Sequence, residues 1–200
     1  MNMVCLDLEG VLVPEIWISF SEAAGIPELR RTTRDEPDYD KLMKFRIDIL
    51  NRNNLKLPDI QKVISGMQPL PGAKEFSDAL REKTQLIILS DTFEQFAKPL
   101  MAKLSWPALF CNSLKTDMDG NVTGYSLRQQ HGKRQAVKAF KSMNMRVFAA
   151  GDSFNDLEMI READLGCLFR APQKIREDCT DLNCMDSFDE LMSEIDTFLA

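Results

Sequence analysis

Residues 3–13 read Met3-Val4-Cys5-Leu6-Asp7-Leu8-Glu9-Gly10-Val11-Leu12-Val13, a short apolar run that ends in two carboxylates and a glycine. A run of this length is expected to form a buried strand, of the kind found in sheets covered on both faces. Positions i and i+2 of a strand share a face, so Asp7 and Glu9 are expected side by side at its carboxyl end. Ionised groups in such a place are costly unless something uses their charge. A divalent cation, a phosphate chemistry that needs an anionic nucleophile, and a proton relay would each do so.

Two further runs end in the same way. Leu86-Ile87-Ile88-Leu89 leads into Ser90-Asp91, and Arg146-Val147-Phe148-Ala149-Ala150 leads into Gly151-Asp152-Ser153-Phe154-Asn155-Asp156. Between them Lys133 opens a helical stretch. Ligands of open α/β sheets bind beyond the carboxyl ends of the strands. An acid pair, a hydroxyl, a lysine and a second acid cluster are therefore expected to converge on one edge.

The rest of the pattern sorts into two parts. Residues 14–24 read as a helix with Pro14 at its start. Residues 38–52 read as an amphipathic helix with Leu42, Phe45, Ile49 and Leu50 on one stripe, and residues 58–65 as a third helix. Residues 66–72, with Pro69 and Pro71, have linker character. Residues 14–70 are thus expected to form a helical cap inserted after the first strand, with residues 1–13 and 71–200 as the core. From Gly72 onward helices and strands alternate: helices over 73–83, 93–104, 133–143 and 154–163, and strands over 85–89, 108–111, 147–150 and 165–169. Asp119-Gly120-Asn121 marks a hairpin turn between short strands, and Ser187 caps a closing helix to Leu199. Such alternation predicts an α/β fold, a doubly wound parallel-sheet (Rossmann-like) core.

Composition narrows the partners. The chain has 200 residues and a net charge of −6, which argues against a nucleic-acid footprint. No apolar run is long enough to span a membrane. The N-terminus lacks a basic start and is interrupted by Asp7 and Glu9, so no secretory signal is expected. The five cysteines, Cys5, Cys111, Cys167, Cys179 and Cys184, suit buried thiols of a cytoplasmic protein. His131, the sole histidine, lies in a polar loop and is expected to be solvated.

The order of these motifs resembles the haloacid dehalogenase superfamily of phosphatases and phosphotransferases over residues 3–170. Asp7-Leu8-Glu9-Gly10-Val11 stands where the family has D-x-D-x-[TV], followed by Ser90, Lys133 and the G-D-x-x-N-D run Gly151–Asp156. The sequence is similar to the phosphoserine phosphatase branch. Glu9 at the second acid position, together with Asp91-Thr92 in place of that branch's usual Gly-Gly, makes it most like the bifunctional phosphoserine phosphatase/homoserine phosphotransferase type. The resemblance implies Asp7 as nucleophile and Glu9 as proton donor and acceptor. It implies Mg2+ held by the Asp7 and Asp152 side chains and the Glu9 carbonyl, with Asp156 behind them orienting a bound water or Lys133. Ser90 and Lys133 would hold the phosphoryl group, with Asp91 and Asn155 toward the substrate. Arg134 follows Lys133 directly, so spacing alone leaves their roles exchangeable. Glu15 and Arg46 match cap positions that hold the amino and carboxylate groups of phosphoserine.

The implied partners are small molecules, phosphoserine and homoserine as an acceptor, and neither nucleic acid nor membrane. A homodimer is one arrangement the sequence leaves open. Two other readings also stay open: a phosphatase for a different small metabolite, and a receiver-type signalling module that takes phosphate on an aspartate. The latter has no use for an inserted cap.

Overall fold

The first strand takes the centre of the sheet. In the computed structural model, which describes residues 1–33, 35–36 and 38–200, the strands are β1 (Asn2–Leu6), β2 (Gln85–Phe93), β3 (Ala108–Thr116), β4 (Val122–Ser126), β5 (Arg146–Gly151), β6 (Leu165–Phe169) and β7 (Cys184–Met185). They lie in the order β4-β3-β2-β1-β5-β6-β7. Every neighbouring pair is parallel except the β3–β4 hairpin. The chain winds outward from β1 through β2 and β3, then returns to the other side of β1 as β5. The order reverses beside β1, which opens a crevice at the carboxyl ends of the strands.

Three helices follow β1: α1 (Ile16–Ala24), α2 (Tyr39–Arg52) and α3 (Leu57–Gly66). The others are α4 (Ala73–Lys83), α5 (Glu94–Lys103), α6 (Gly132–Ser142), α7 (Leu157–Glu162), α8 (Gln173–Asp178) and α9 (Phe188–Leu199). The two-residue strand period sends alternate side chains to opposite faces. Val4, Leu6, Phe148 and Ala150 pack with Phe76, Leu80, Phe96, Leu100, Ile195 and Phe198 from α4, α5 and α9. Met3, Cys5, Val147 and Ala149 pack with Val137, Phe140, Met159 and Ile175 from α6, α7 and α8. Both sheet faces are therefore covered, as the continuous apolar strands require.

The chain leaves and re-enters the sheet region at one point, where Leu70 N donates to Leu12 O at 2.9 Å. Side chains join α2 to β4 and α3 to α5 as well. The Tyr39 and Tyr125 rings meet edge to face at 5.6 Å, and Tyr125 Oη donates to Asp40 Oδ1 at 3.0 Å. Gln61 Nε2 donates to Gln95 O at 3.0 Å.

Several boundaries differ from the sequence expectation. The first helix begins at Ile16, not Pro14, with Glu15 at its N-cap. Asp38 caps α2 by accepting from Lys41 N at 3.1 Å. The helix expected over 154–163 is split into a 3-10 turn, Phe154–Asp156, and α7, because the Asp156 side chain accepts from Asp152 N and Ser153 N and pins the turn. The strand at Ala108 and the first hairpin arm are one strand, β3, braced by Gln95, which bonds both N and O of Leu114. The 3-10 turn Pro27–Arg30, α8 and β7 are too short to carry a periodic signal and were not expected. No helix among the described residues is long and apolar enough to cross a membrane.

Ser77 on α4 is fully buried, and its Oγ finds no hydrogen-bond partner among the described residues. A buried hydroxyl without a partner costs its desolvation, and alanine is the better helix former. Ser77→Ala is expected to add about 1 kcal/mol of stability and raise Tm by about 2–4 °C. Differential scanning calorimetry checks this, and a lower Tm would mean that the hydroxyl is satisfied.

Candidate active site

β1 ends at Leu6, and Asp7 continues its line, with its N–H donating to Ala150 O of β5 at 3.0 Å. The chain then turns sharply. Gly10 adopts φ +78, and its N donates to Val13 O at 2.8 Å. A Cβ on Gly10 would stand 2.5 Å from Cγ of Asp152, so glycine is required for the carboxylate after β5 to approach this turn. Asp7 and Asp152 thus face each other across the crevice between β1 and β5.

Lys133, on the first turn of α6, reaches between the acids. Its Nζ lies 2.6 Å from Asp156 Oδ1, 3.0 Å from Asp7 Oδ1 and 3.7 Å from Asp91 Oδ2. Burial draws its pKa down, but Asp156, Asp7 and Asp91 outweigh burial and hold it well above the ordinary lysine value. Asp7 is affected in the opposite sense. Burial first, then the charges of Asp156 and Asp152, raise its pKa well above the carboxylate range, against the pull of Lys133.

Asp156 is fully committed. Oδ1 takes Lys133, and Oδ2 accepts from Asp152 N, Ser153 N and Ser153 Oγ at 3.0–3.1 Å. It holds the lysine and the loop after β5 in place. Asp7, Asp152 and Asp156 are all buried, and each offers a carboxylate oxygen within 4.8 Å of the others. Three carboxylates and one ammonium carry an excess of negative charge, and hard oxygen donors suit a small divalent cation. The residues present fit such an ion, which the Asp7 and Asp152 carboxylates would hold.

Glu9 lies on the other side of the turn. Its Oε2 accepts from Ile16 N at 2.9 Å, which ties it to the start of α1. Burial, and next the charge of Glu15, push its pKa up to about 7, while the Ile16 bond, Thr92 and Arg46 restrain the rise. A carboxyl poised there can donate or accept a proton near neutrality.

The pocket enclosed by these groups has a volume of about 110 Å3 and is also lined by Glu15, Arg46, Ser90, Asp91 and Asn155. Ser90 follows the regular part of β2, where the pairing to β3 shifts register between Leu89 and Phe93, and its Oγ accepts from Thr92 N at 3.2 Å. Asn155 Nδ2 donates to Asp91 Oδ2 at 2.8 Å. Arg46, on α2, is 6% exposed. It donates from Nη2 to Arg31 O at 2.6 Å and stacks over Trp17 at 4.4 Å. Among the described residues its Nε has no hydrogen-bond partner, and Glu9 and Glu15 act on its charge from beyond contact distance.

All the residues singled out from the sequence for catalysis, metal or substrate line this pocket, or, in the case of Asp156, stand directly behind it. Arg134 points elsewhere, to Glu162 at 2.9 Å, so it does not share the position of Lys133. His131 is exposed as expected but has a partner that was not foreseen, with Nδ1 2.8 Å from Glu158 Oε2. The pocket also contains Trp17, Tyr39, Thr92 and Ser153. Thr92 and Ser153 could have been inferred from their places beside Ser90 and Asp152. Trp17 and Tyr39 read only as apolar helix residues.

Comparisons agree with this geometry. The haloacid dehalogenase-like hydrolase family model matches residues 1–164. The chain is 53% identical to the phosphoserine phosphatase ThrH of Pseudomonas aeruginosa over 194 residues, covering 97% of this chain and 95% of that protein. It is 55% identical to a phosphoserine phosphatase of Pseudomonas syringae over 193 residues, 96% of this chain and 81% of that one. The fold matches a substrate-bound phosphoserine phosphatase structure with a TM-score of 0.78 at 20% identity, covering 100% of this chain and 98% of the other. A strand-end acid pair, a buried lysine and a second acid cluster on a covered parallel sheet, with a family match over most of its length, make this chain a member of the haloacid dehalogenase-like hydrolases.

Proposed function

We propose that the chain is a magnesium-dependent phosphoserine phosphatase that also transfers the phosphoryl group to homoserine. The observation that carries this reading is Arg46. A buried guanidinium with an unpartnered Nε and no carboxylate at ion-pair distance among the described residues is costly unless a ligand completes it. It shares its pocket with Asp7 and Glu15. A substrate with phosphate, carboxylate and ammonium groups fits Asp7, Arg46 and Glu15 respectively. Relatives at 53–55% identity that are phosphoserine phosphatases support the same substrate.

The chemistry follows from the positions. An Asp7 carboxylate oxygen attacks phosphorus, the bond to the serine oxygen breaks, and Glu9 gives that oxygen its proton. The aspartyl-phosphate is then attacked by an oxygen of water or of homoserine, and Glu9 takes the proton as the bond to Asp7 breaks. The Ile16 N–H keeps the longer Glu9 side chain fixed beside the turn. Lys133 and Ser90 aim positive charge and a hydroxyl at the phosphoryl oxygens, a preorganised stabilisation of developing charge. Magnesium, held by Asp7, Asp152 and the Glu9 carbonyl, would supply further charge neutralisation. In this reading residues 14–70 act as a cap over a core of residues 1–13 and 71–200, and Arg46 and Glu15 give the cap its part in selectivity. Homoserine carries the same two charged groups as serine on a chain one methylene longer, so it can occupy the vacated pocket at high effective concentration.

The direct test is phosphate release from L-phosphoserine with Mg2+, with and without L-homoserine, following phosphohomoserine by mass spectrometry. Homoserine is expected to divert phosphate into phosphohomoserine. If only inorganic phosphate forms at saturating homoserine, the transferase reading fails and a phosphatase remains. Arg46→Ala is expected to lower kcat/KM for phosphoserine by about ten- to a hundredfold, the worth of charge-assisted hydrogen bonds to one carboxylate. Asp7→Asn should remove turnover while circular dichroism shows the fold intact. Residual turnover within about tenfold of wild type, 1.4 kcal/mol of barrier, would rule Asp7 out as nucleophile.

A further inference from the structure

Arg46 is held by an unusual set of contacts. One edge of its guanidinium is fixed by the Arg31 carbonyl, and among the described residues Nη1 is met by the Met43 sulfur at 3.9 Å. The Trp17 ring lies against the guanidinium, with Cζ 4.4 Å from the ring centroid. Trp17 is itself almost fully buried, 7% exposed. Its ring meets Phe96 of α5 at 5.4 Å, edge to face, and Phe96 meets Phe93 at the end of β2 at 5.6 Å. Phe93 belongs to the strand that carries Ser90 and Asp91. A continuous chain of ring contacts therefore runs from the guanidinium on α2 to the strand that presents the phosphoryl-binding hydroxyl.

From this geometry we propose that Trp17 is a positioning residue for Arg46 and sets the preference for substrates that bear a carboxylate. The proposal rests on the amino-acid pocket described above. A cation over an indole face gains attraction without competing for its N–H donors, and the gain is larger in a desolvated site. A carboxylate partner would satisfy the charge too, but would occupy the donors the substrate needs. Trp17 thus holds the fork in the plane that a substrate carboxylate meets, and the Phe96–Phe93 contacts fix its distance from the phosphoryl site. A monoester lacking the carboxylate gains nothing from this arrangement.

The test compares O-phospho-L-serine with O-phosphoethanolamine, which keeps the ammonium and phosphate but has no carboxylate. Both are assayed with Mg2+ for wild type, Trp17→Leu and Trp17→Phe, with thermal melts of all three proteins. Wild type should favour phosphoserine. Trp17→Leu should lower that ratio of kcat/KM values by about tenfold or more, mainly through KM for phosphoserine. Trp17→Phe, which keeps an aromatic face, should restore most of it. Equal loss on both substrates would make Trp17 merely structural and overturn the proposal. An unchanged ratio in Trp17→Leu would overturn it too. If wild type shows no preference at all, the amino-acid pocket itself is wrong and the role of Trp17 falls with it.

Discussion

A buried ammonium among buried carboxylates organises this molecule. Lys133 lies within 3.0 Å of both Asp7 and Asp156, in a place where any one of these charges alone would be expensive. Removing Lys133 would leave both carboxylates without their counter-charge. The arrangement fixes where α6 starts relative to β1 and how the loop after β5 must turn. It also leaves more negative than positive charge in the buried crevice. Such an excess is unfavourable in isolation and becomes favourable when a cation enters, with the cation and Lys133 together able to receive an anionic phosphoryl group.

The fold delivers these groups without long-range adjustment. Asp7, Ser90 and Asp152 each stand just past the regular pairing of a parallel strand, and β1 separates the other two strands. The reversal of strand order beside β1 opens the crevice there. The segment between β1 and α4 then adds to the same pocket what the sheet edge lacks, the buried guanidinium of Arg46 and the carboxylate of Glu15. Their attachment through Leu12–Leu70 and through Tyr39, Tyr125 and Gln61 sets how far Arg46 stands from Asp7. The sheet edge, with the start of α6, thus supplies the acids and the lysine, and the helices after β1 supply Arg46.

The convergence of acids and lysine at one sheet edge was legible in the sequence because its signals are local. An apolar strand that ends in an acid, three times over, has few structural uses. Lys133 could be singled out only through the motif pattern, since a lysine at a helix start is ordinarily solvated, and only the structure separates it from Arg134. The inserted helices were legible as helices, and Arg46 as a residue on one. Its burial was not, because it depends on Trp17 and Arg31, which approach it only in three dimensions. The shift of β2 past Leu89 was hidden for a similar reason. Ser90-Asp91-Thr92 carries no bulge signal, and the register change comes from pairing with β3 and from Asn112 bonding the Asp91 carbonyl. Short elements such as α8 and β7 exist because neighbours hold them.

If the excess negative charge around Lys133 is the feature on which the site depends, it must bind a divalent cation independently of any turnover. Mg2+ binding to the substrate-free protein, measured by calorimetry together with the shift in Tm, examines this most directly. Binding to the folded state alone raises Tm by mass action. Wild type is expected to bind Mg2+ and melt higher in its presence, whereas Asp152→Asn, which removes one charge from the crevice, should lose most of both effects while staying folded. Equal Mg2+ binding by the two proteins, or none by wild type, would contradict the account.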